Sequence, residues 1–172
     1  MKLERMIRDV PDFPRKGIVF KDLTPLLLDA RAFRETVERM SAPFLNRVDV
    51  VLGIESRGFI IGAAVAYHLG TGIALVRKAG KLPGATFEAR YELEYGSDRL
   101  QIHQDGFRRG SRVLIVDDLL ATGGTSAATV DLAGRLGGDV VACAFVIELA
   151  FLGGRKRLEP TEVFSLIRYE KE

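Results

Sequence analysis

The chain has a single cysteine, Cys143, set in an apolar run, so no internal disulfide is available to hold the fold. That usage fits a reducing compartment, and the cytoplasm is the expected one. An excess of one charge is also missing. The 25 Lys and Arg against 23 Asp and Glu leave a net charge of +2, too little to point to nucleic acid, so no such partner is expected. Long apolar runs are absent as well: Glu148 interrupts the stretch from Val140 to Leu152, and nothing approaches the roughly 20 residues that cross a bilayer. No membrane partner is expected, and the opening MKLERMIRDV mixes charge among its apolar residues unlike a signal peptide. Side-chain amides are scarce, with one Asn (Asn46) and two Gln (Gln101, Gln104), while Arg outnumbers Lys. Heat stability and a GC-rich genome account for that bias equally well.

What remains is an ordinary globular composition: 172 residues, 47% hydrophobic and 28% charged, enough for a single core. Residues 1–172 are expected to form a single domain. Strand and helix patterns alternate along it. Asp29 stands ready to cap a helix whose apolar residues Phe33, Val37, Met40 and Phe44 recur at steps of four and three. VDVVLGI then reads as a strand buried on both faces, ESRG as a loop, FIIGAAVAYHLG as a helix and GIALVRK as the next strand. The order recurs with RVLIVDD as strand, LLATGG as loop, TSAATVDLAGRLGG as helix and DVVACAFVIEL as strand. Two such units predict an α/β fold, a doubly wound and mostly parallel sheet flanked by helices. Between them TFEARYELEYGSDRLQIH alternates apolar and polar residues around a Gly-Ser-Asp turn, which predicts an antiparallel ribbon or mobile flap. Function belongs at the carboxyl ends of the parallel strands.

LIVDDLLATGGTS falls at such an end. Ala121, Thr122, Gly123, Gly124 and Thr125 lead into a helix, so free N–H groups and the helix dipole converge on one centre that suits a phosphate monoester. The adjacent Asp117 and Asp118 would only repel a bare phosphate, but a carboxylate accepts hydrogen bonds from sugar hydroxyls and holds Mg2+ through water. The ligand therefore carries both phosphate and a diol, as a sugar phosphate does. No Lys follows Gly124 as a P-loop requires, and the Rossmann fingerprint is missing. A phospho-receiver domain would need an acceptor Asp at a later strand end, and nothing past Asp139 supplies one. A purely structural turn would bury two carboxylates at a cost with no return.

VLIVDDLLATGGT resembles the phosphoribosyl pyrophosphate motif of type I phosphoribosyltransferases, and in its LLATGGT form that of the adenine phosphoribosyltransferases. FPRKGIVFKDLTPLL, GIESRGF, RKAGKLPG with YELEYG, and FSLIRYE resemble, in order, that family's adenine-binding segment, pyrophosphate loop, flexible loop and C-terminal end. The resemblance implies the type I phosphoribosyltransferase fold, with a small hood from about residues 1–28 and the C-terminal segment and a flexible loop at about 78–103. It implies transfer of a 5-phosphoribosyl group from phosphoribosyl pyrophosphate to N9 of adenine, giving AMP and pyrophosphate with Mg2+, in a homodimer.

By the same resemblance Asp117 and Asp118 meet the ribose hydroxyls and Ala121 to Thr125 the 5-phosphate. Glu55, Ser56 and Arg57, with Arg77, Lys78 and Lys81, meet the pyrophosphate, and the Glu55–Ser56 peptide is cis. Val19 and Lys21 contact the purine edge through their main chains, and Phe20 packs on its face. Glu94 reaches the imidazole edge, where a carboxylate shares the N9 proton, and Tyr95 helps to cover the site. Glu94, Arg57 and Asp118 are the expected catalytic residues, and no direct metal ligand is expected, Mg2+ being held through substrate and water with Asp117 or Asp118 as the candidates to meet it. His68 and His103 carry no chemistry and are expected at the surface or in packing. The segment departs from the family pattern at Lys21, where Arg is common, after Phe13-Pro14, where a second Pro is common, and at Gln101, where Glu is frequent. A Lys21 ammonium aimed into the pocket would favour a 6-oxopurine instead of adenine. A non-catalytic sensor of phosphoribosyl pyrophosphate is the other alternative, although a net charge of +2 leaves no room for a strongly basic face and the flexible-loop residues look intact.

Overall fold

Short N-terminal segments pair first: Arg8–Pro11 (β1) and Val19–Asp22 (β2) make an antiparallel ribbon separate from the main sheet. The computed structural model describes residues 2–92 and 97–171, apart from the side chain of Glu92. The other strands are Val50–Ile54 (β3), Gly72–Lys78 (β4), Thr86–Glu92 (β5), Ser97–His103 (β6), Arg112–Leu120 (β7), Asp139–Leu149 (β8) and Val163–Tyr169 (β9). They form one sheet in the order β5-β6-β4-β3-β7-β8-β9. The run from β4 to β9 is parallel, and β6 is antiparallel to both β4 and β5. The expected α/β architecture with a mostly parallel sheet is thus the observed one.

Side-chain alternation sends each strand's apolar residues to both faces. On β7, Leu114 and Val116 pack with Met40 of Ala30–Ser41 (α2; α1 is the short Thr24–Leu28) and with Ile61 and Val65 of Arg57–Leu69 (α3). Val113 and Ile115 face the other way, onto Ala128 and Leu132 of Gly124–Arg135 (α4). Each fully buried aliphatic side chain contributes roughly 1.5–3 kcal/mol, so the two layers hold the sheet between them. A last short helix, Gly154–Arg157 (α5), links β8 to β9.

Local chemistry sets the element ends. Asp29 caps α2 as expected, accepting from the N–H groups of Arg31 at 3.0 Å and Ala32 at 2.8 Å, a contact worth about 1 kcal/mol. The helix stops at Ser41 instead of running through Phe44, because Pro43 has no N–H to extend it, and Phe44 follows on a 3-10 turn. α3 starts at Arg57, before the apolar run, since the first turn needs no intrahelical N–H partners. β7 continues past both aspartates to Leu120, where Leu119 and Leu120 pair with Ile147 and Glu148 of β8, so the loop is shorter than LLATGG. The expected Gly-Ser-Asp turn is also corrected. Ser97 and Asp98 pair with Glu92 and Tyr91 as strand residues, continuing the alternation that buries Leu100 and Ile102. No helix among the described residues is long and apolar enough to cross a membrane.

Candidate active site

β3 and β7 lie side by side, yet their crossovers diverge: β3 leads through α3 to β4, and β7 through α4 to β8 on the opposite side. Strand order switches there, and the loops beyond the two carboxyl ends part to leave a cleft. Gly58 in the first turn of α3 lets that helix sit against β7, because a Cβ on it would lie 2.6 Å from Asp117 Oδ1. A cleft of about 390 Å³ results, with Ser56, Arg57, Lys78, Asp117, Asp118 and Thr125 among its walls. A second of about 230 Å³ shares Arg57 and both aspartates and is closed by Ala121, Thr122, Gly123, Gly124 and Thr125. Gly123 takes a φ of 81°, which opens the turn into α4.

The aspartates are not equivalent. Asp117 Oδ1 accepts the Asp118 N–H at 2.9 Å. Its burial, and then the neighbouring Asp118 carboxylate, hold its pKa well above the usual carboxylate range. Asp118 is 8% exposed at its side chain, and Arg57 Nε lies 2.6 Å from its Oδ2. That approach is an ion pair off the line of a good hydrogen bond, so the buried Oδ2 accepts no directed donor. An oxygen in that state suits a hydroxyl or a hard cation. Arg57 also lies over the face of Phe20, 5.0 Å from its centroid, while Phe13 meets the same ring edge-on at 5.2 Å.

Across the cleft Glu55 collects cations. It accepts from Lys81 Nζ at 3.0 Å, the Lys78 N–H at 3.0 Å and Arg77 Nε at 3.3 Å. Burial would raise its pKa, but these donors outweigh that and hold it below the usual value. The Lys78 ammonium pairs with Asp98 Oδ2 at 3.1 Å, which raises the lysine's pKa. The Glu55–Ser56 peptide is cis. Gln101 steadies the same loop, donating to Glu88 Oε2 at 2.8 Å and accepting the Gly80 N–H at 2.9 Å.

The structure thus brings Ser56, Arg57, Lys78, Asp117, Asp118 and residues 121–125 to one place, with Arg77 and Lys81 joined to it through Glu55. Val19, Phe20 and Lys21 lie on β2 and line neither cleft, Phe20 meeting the site through Arg57. The Lys21 ammonium points elsewhere: it is buried, 2.8 Å from Asp9 Oδ1 and 4.4 Å from the centroid of Tyr169. Glu94 and Tyr95 lie outside the described residues. His103 Nε2 is 2.8 Å from the Pro83 carbonyl, and His68 is exposed in the last turn of α3. Sequence reasoning missed Tyr91, a wall of the cleft whose phenol pKa burial raises, and Asp98, the partner of Lys78. The period-two alternation of the ribbon, which turns Ala89 and Tyr91 inward together, was the available signal for Tyr91.

A sequence profile of the phosphoribosyl transferase domain matches residues 27–170. The adenine phosphoribosyltransferase of Geobacter metallireducens is 54% identical over 169 residues, covering 98% of this chain and 99% of that protein. The one from Thermotoga neapolitana is 55% identical over 170 residues, covering 98% and 100%. The crystal structure of adenine phosphoribosyltransferase from Thermoanaerobacter pseudethanolicus superimposes with a TM-score of 0.95 at 50% identity, covering 98% of each chain. That of the Saccharomyces cerevisiae enzyme, complexed with D-2,5-dideoxy-2,5-imino-altritol 1,6-bisphosphate and adenine, gives 0.92 at 40% identity over 96% of each chain.

Proposed function

The chain belongs to the phosphoribosyl transferase family, among its adenine phosphoribosyltransferases, and from that premise we propose how its residues divide the work of the reaction. It transfers the 5-phosphoribosyl group of phosphoribosyl pyrophosphate to N9 of adenine, giving AMP and pyrophosphate. The observation that carries the assignment of roles is an anion cradle and a carboxylate pair opening into one cleft. A ligand with both a phosphate and vicinal hydroxyls satisfies both.

In this reading residues 121–125 hold the 5-phosphate through backbone N–H groups and the Thr122 and Thr125 hydroxyls. Asp117 and Asp118 accept from the ribose hydroxyls. As the bond from ribose C1 to the pyrophosphate oxygen lengthens, positive charge grows on the sugar and negative charge on the leaving group. The carboxylates then favour the first, and Ser56, Arg57 and Lys78, with Arg77 and Lys81 once they leave Glu55, favour the second. Phe20 and the main chains of Val19 and Lys21 receive adenine, Glu94 takes the proton that N9 gives up, and Tyr95 covers the site.

Mg2+ fits this donor set. Asp117 and Asp118 present hard carboxylate oxygens, one of them buried without a directed donor, and would hold the ion directly or through water. Among the described residues no group of three or more His, Cys, Asp or Glu stands ready to hold a metal alone, so phosphoribosyl pyrophosphate and water would supply the remaining ligands. When bound, the ion supplies positive charge for the pyrophosphate. The hood of residues 1–28 with Tyr169 of the C-terminal segment, the loop 78–103, a homodimeric assembly and a cytoplasmic setting complete the proposal.

The pairing of Lys21 with Asp9 supports adenine over 6-oxopurines, because it keeps a strong donor off the purine edge. A base panel tests this: protein, phosphoribosyl pyrophosphate and Mg2+ with adenine, hypoxanthine, guanine, xanthine or uracil, following pyrophosphate release. Turnover with adenine alone is expected. Turnover with hypoxanthine or guanine would overturn the role given to Lys21.

A further inference from the structure

We infer that Glu148, Arg155 and Gly154 form a positioning element that fixes the backbone of the phosphate cradle from behind. The inference rests on reading residues 121–125 as the 5-phosphate cradle. Glu148 is a buried carboxylate to which the proposed reaction gives no part, only 2% exposed near the end of β8. In register it lies between Leu120 of β7 and Arg168 of β9, directly beside the residue that precedes the cradle. Arg155 grips it with both arms of its fork, Nε to Oε1 at 3.0 Å and Nη2 to Oε2 at 2.6 Å. The remaining Nη1 donates to the Val163 carbonyl at 2.7 Å, while Nη2 lies 3.5 Å from Ser165 Oγ. Arg168 Nε stands off at 3.9 Å. The guanidinium is therefore tied to two strands at once, and the start of α5 is tied with it.

The residue before Arg155 is what touches the cradle. Gly154 packs its backbone on the Ala121 carbonyl so closely that a Cβ would overlap that oxygen, and it would stand 3.0 Å from the Gly123 nitrogen. The contact is reciprocal, for a Cβ on Gly123 would lie 2.6 Å from the Gly154 carbonyl oxygen. Two stretches of bare backbone thus meet with no side chain between them. The Gly123 turn that aims N–H groups at the phosphate rests on Gly154, and Gly154 rests on the Arg155–Glu148 pair. Glu148 is buried while Arg155 stays partly exposed, so the pair adds little net stability, but its bidentate geometry holds position closely. None of the three lines either cleft, so all act through the cradle.

The test is the reverse reaction, AMP with pyrophosphate, in Gly154→Ala, Arg155→Ala and Arg155→Lys, with melting temperature recorded for each. The KM for AMP, which carries the 5-phosphate, is expected to rise at least about tenfold in the first two while that for pyrophosphate stays within about twofold. Arg155→Lys keeps the charge but loses the fork, so an intermediate rise is expected, and it keeps the test available if either other variant fails to fold. A lowered melting temperature with both KM values unchanged would overturn the inference and leave a merely structural pair. Thr122→Ala and Thr125→Ala in the cradle itself separate the two readings. If they raise the KM for AMP and the Arg155 variants do not, only the positioning element fails; if they also leave it unchanged, the cradle assignment fails and this inference with it.

Discussion

Arg57 has two unlike partners, the Asp118 carboxylate at 2.6 Å and the face of Phe20 at 5.0 Å. In the proposed roles the first faces the ribose and the second the purine, which would set the guanidinium between the two. On that proposal the arginine would meet the leaving pyrophosphate without repelling the cationic sugar, because Asp118 balances its charge. Arg57→Ala and Asp118→Asn are each expected to lower kcat/KM for phosphoribosyl pyrophosphate by at least about tenfold, or about 1.4 kcal/mol, with the circular dichroism spectrum unchanged. Turnover equal to the unsubstituted chain in either folded variant would remove that residue from the site. Their place was legible in the sequence because the ESRG segment follows β3 directly and the acidic pair lies in the second half of β7, although that strand runs on to Leu120. Asp9 and Asp98 were not, since the partners of Lys21 and Lys78 come from strands paired across 12 and 20 residues, and no local pattern marks which acid will meet which base.

At the scale of elements, the strands and helices with a clear period were readable to within a few residues. β8 matches its apolar run from Asp139 to Leu149 because both its faces are buried. The β1–β2 ribbon was not readable: its strands are only four residues long, β1 is mostly exposed, and the intervening turn relies on Asp12 at a φ of 56° and Gly17 at 89°. Asp22 locks that ribbon. It accepts the Thr24 N–H and hydroxyl, both at 2.9 Å, and Arg8 Nε at 3.0 Å. The Thr24 N–H and then the Arg8 guanidinium lower its carboxyl from 3.8 to about 2. A depressed folded-state pKa contributes stability that is present above the unfolded value and lost as pH falls through the folded one. Asp22→Asn is therefore expected to melt below the unsubstituted protein at pH 7, with the gap closing between pH 3.8 and about 2. A gap that persists unchanged at pH 2 would show that the carboxylate's charge is not what holds the ribbon.

Over the whole molecule, α3 links the cleft to the outer surface. Its inner side packs on β3 and β7, its first residue is Arg57, and its outer side leaves Ile60 at 48% and Tyr67 at 90% exposure, two turns apart on one face. FIIGAAVAYHL carries apolar residues on more than one side of α3, and the chain leaves Ile60 and Tyr67 uncovered. A second copy of the chain on that face would cover both side chains, which makes the proposed homodimer the assembly to test. Light scattering is expected to give twice the chain mass of 19.0 kDa, and Ile60→Asp with Tyr67→Asp is expected to give the single mass. If packing against the second copy also steadies the first turn of α3, the monomeric variant loses turnover through a higher KM for phosphoribosyl pyrophosphate, since that turn aims Arg57. A monomer in the unsubstituted protein at micromolar concentration would overturn the assembly, and full activity in a monomeric variant would show that each cleft is complete within one chain.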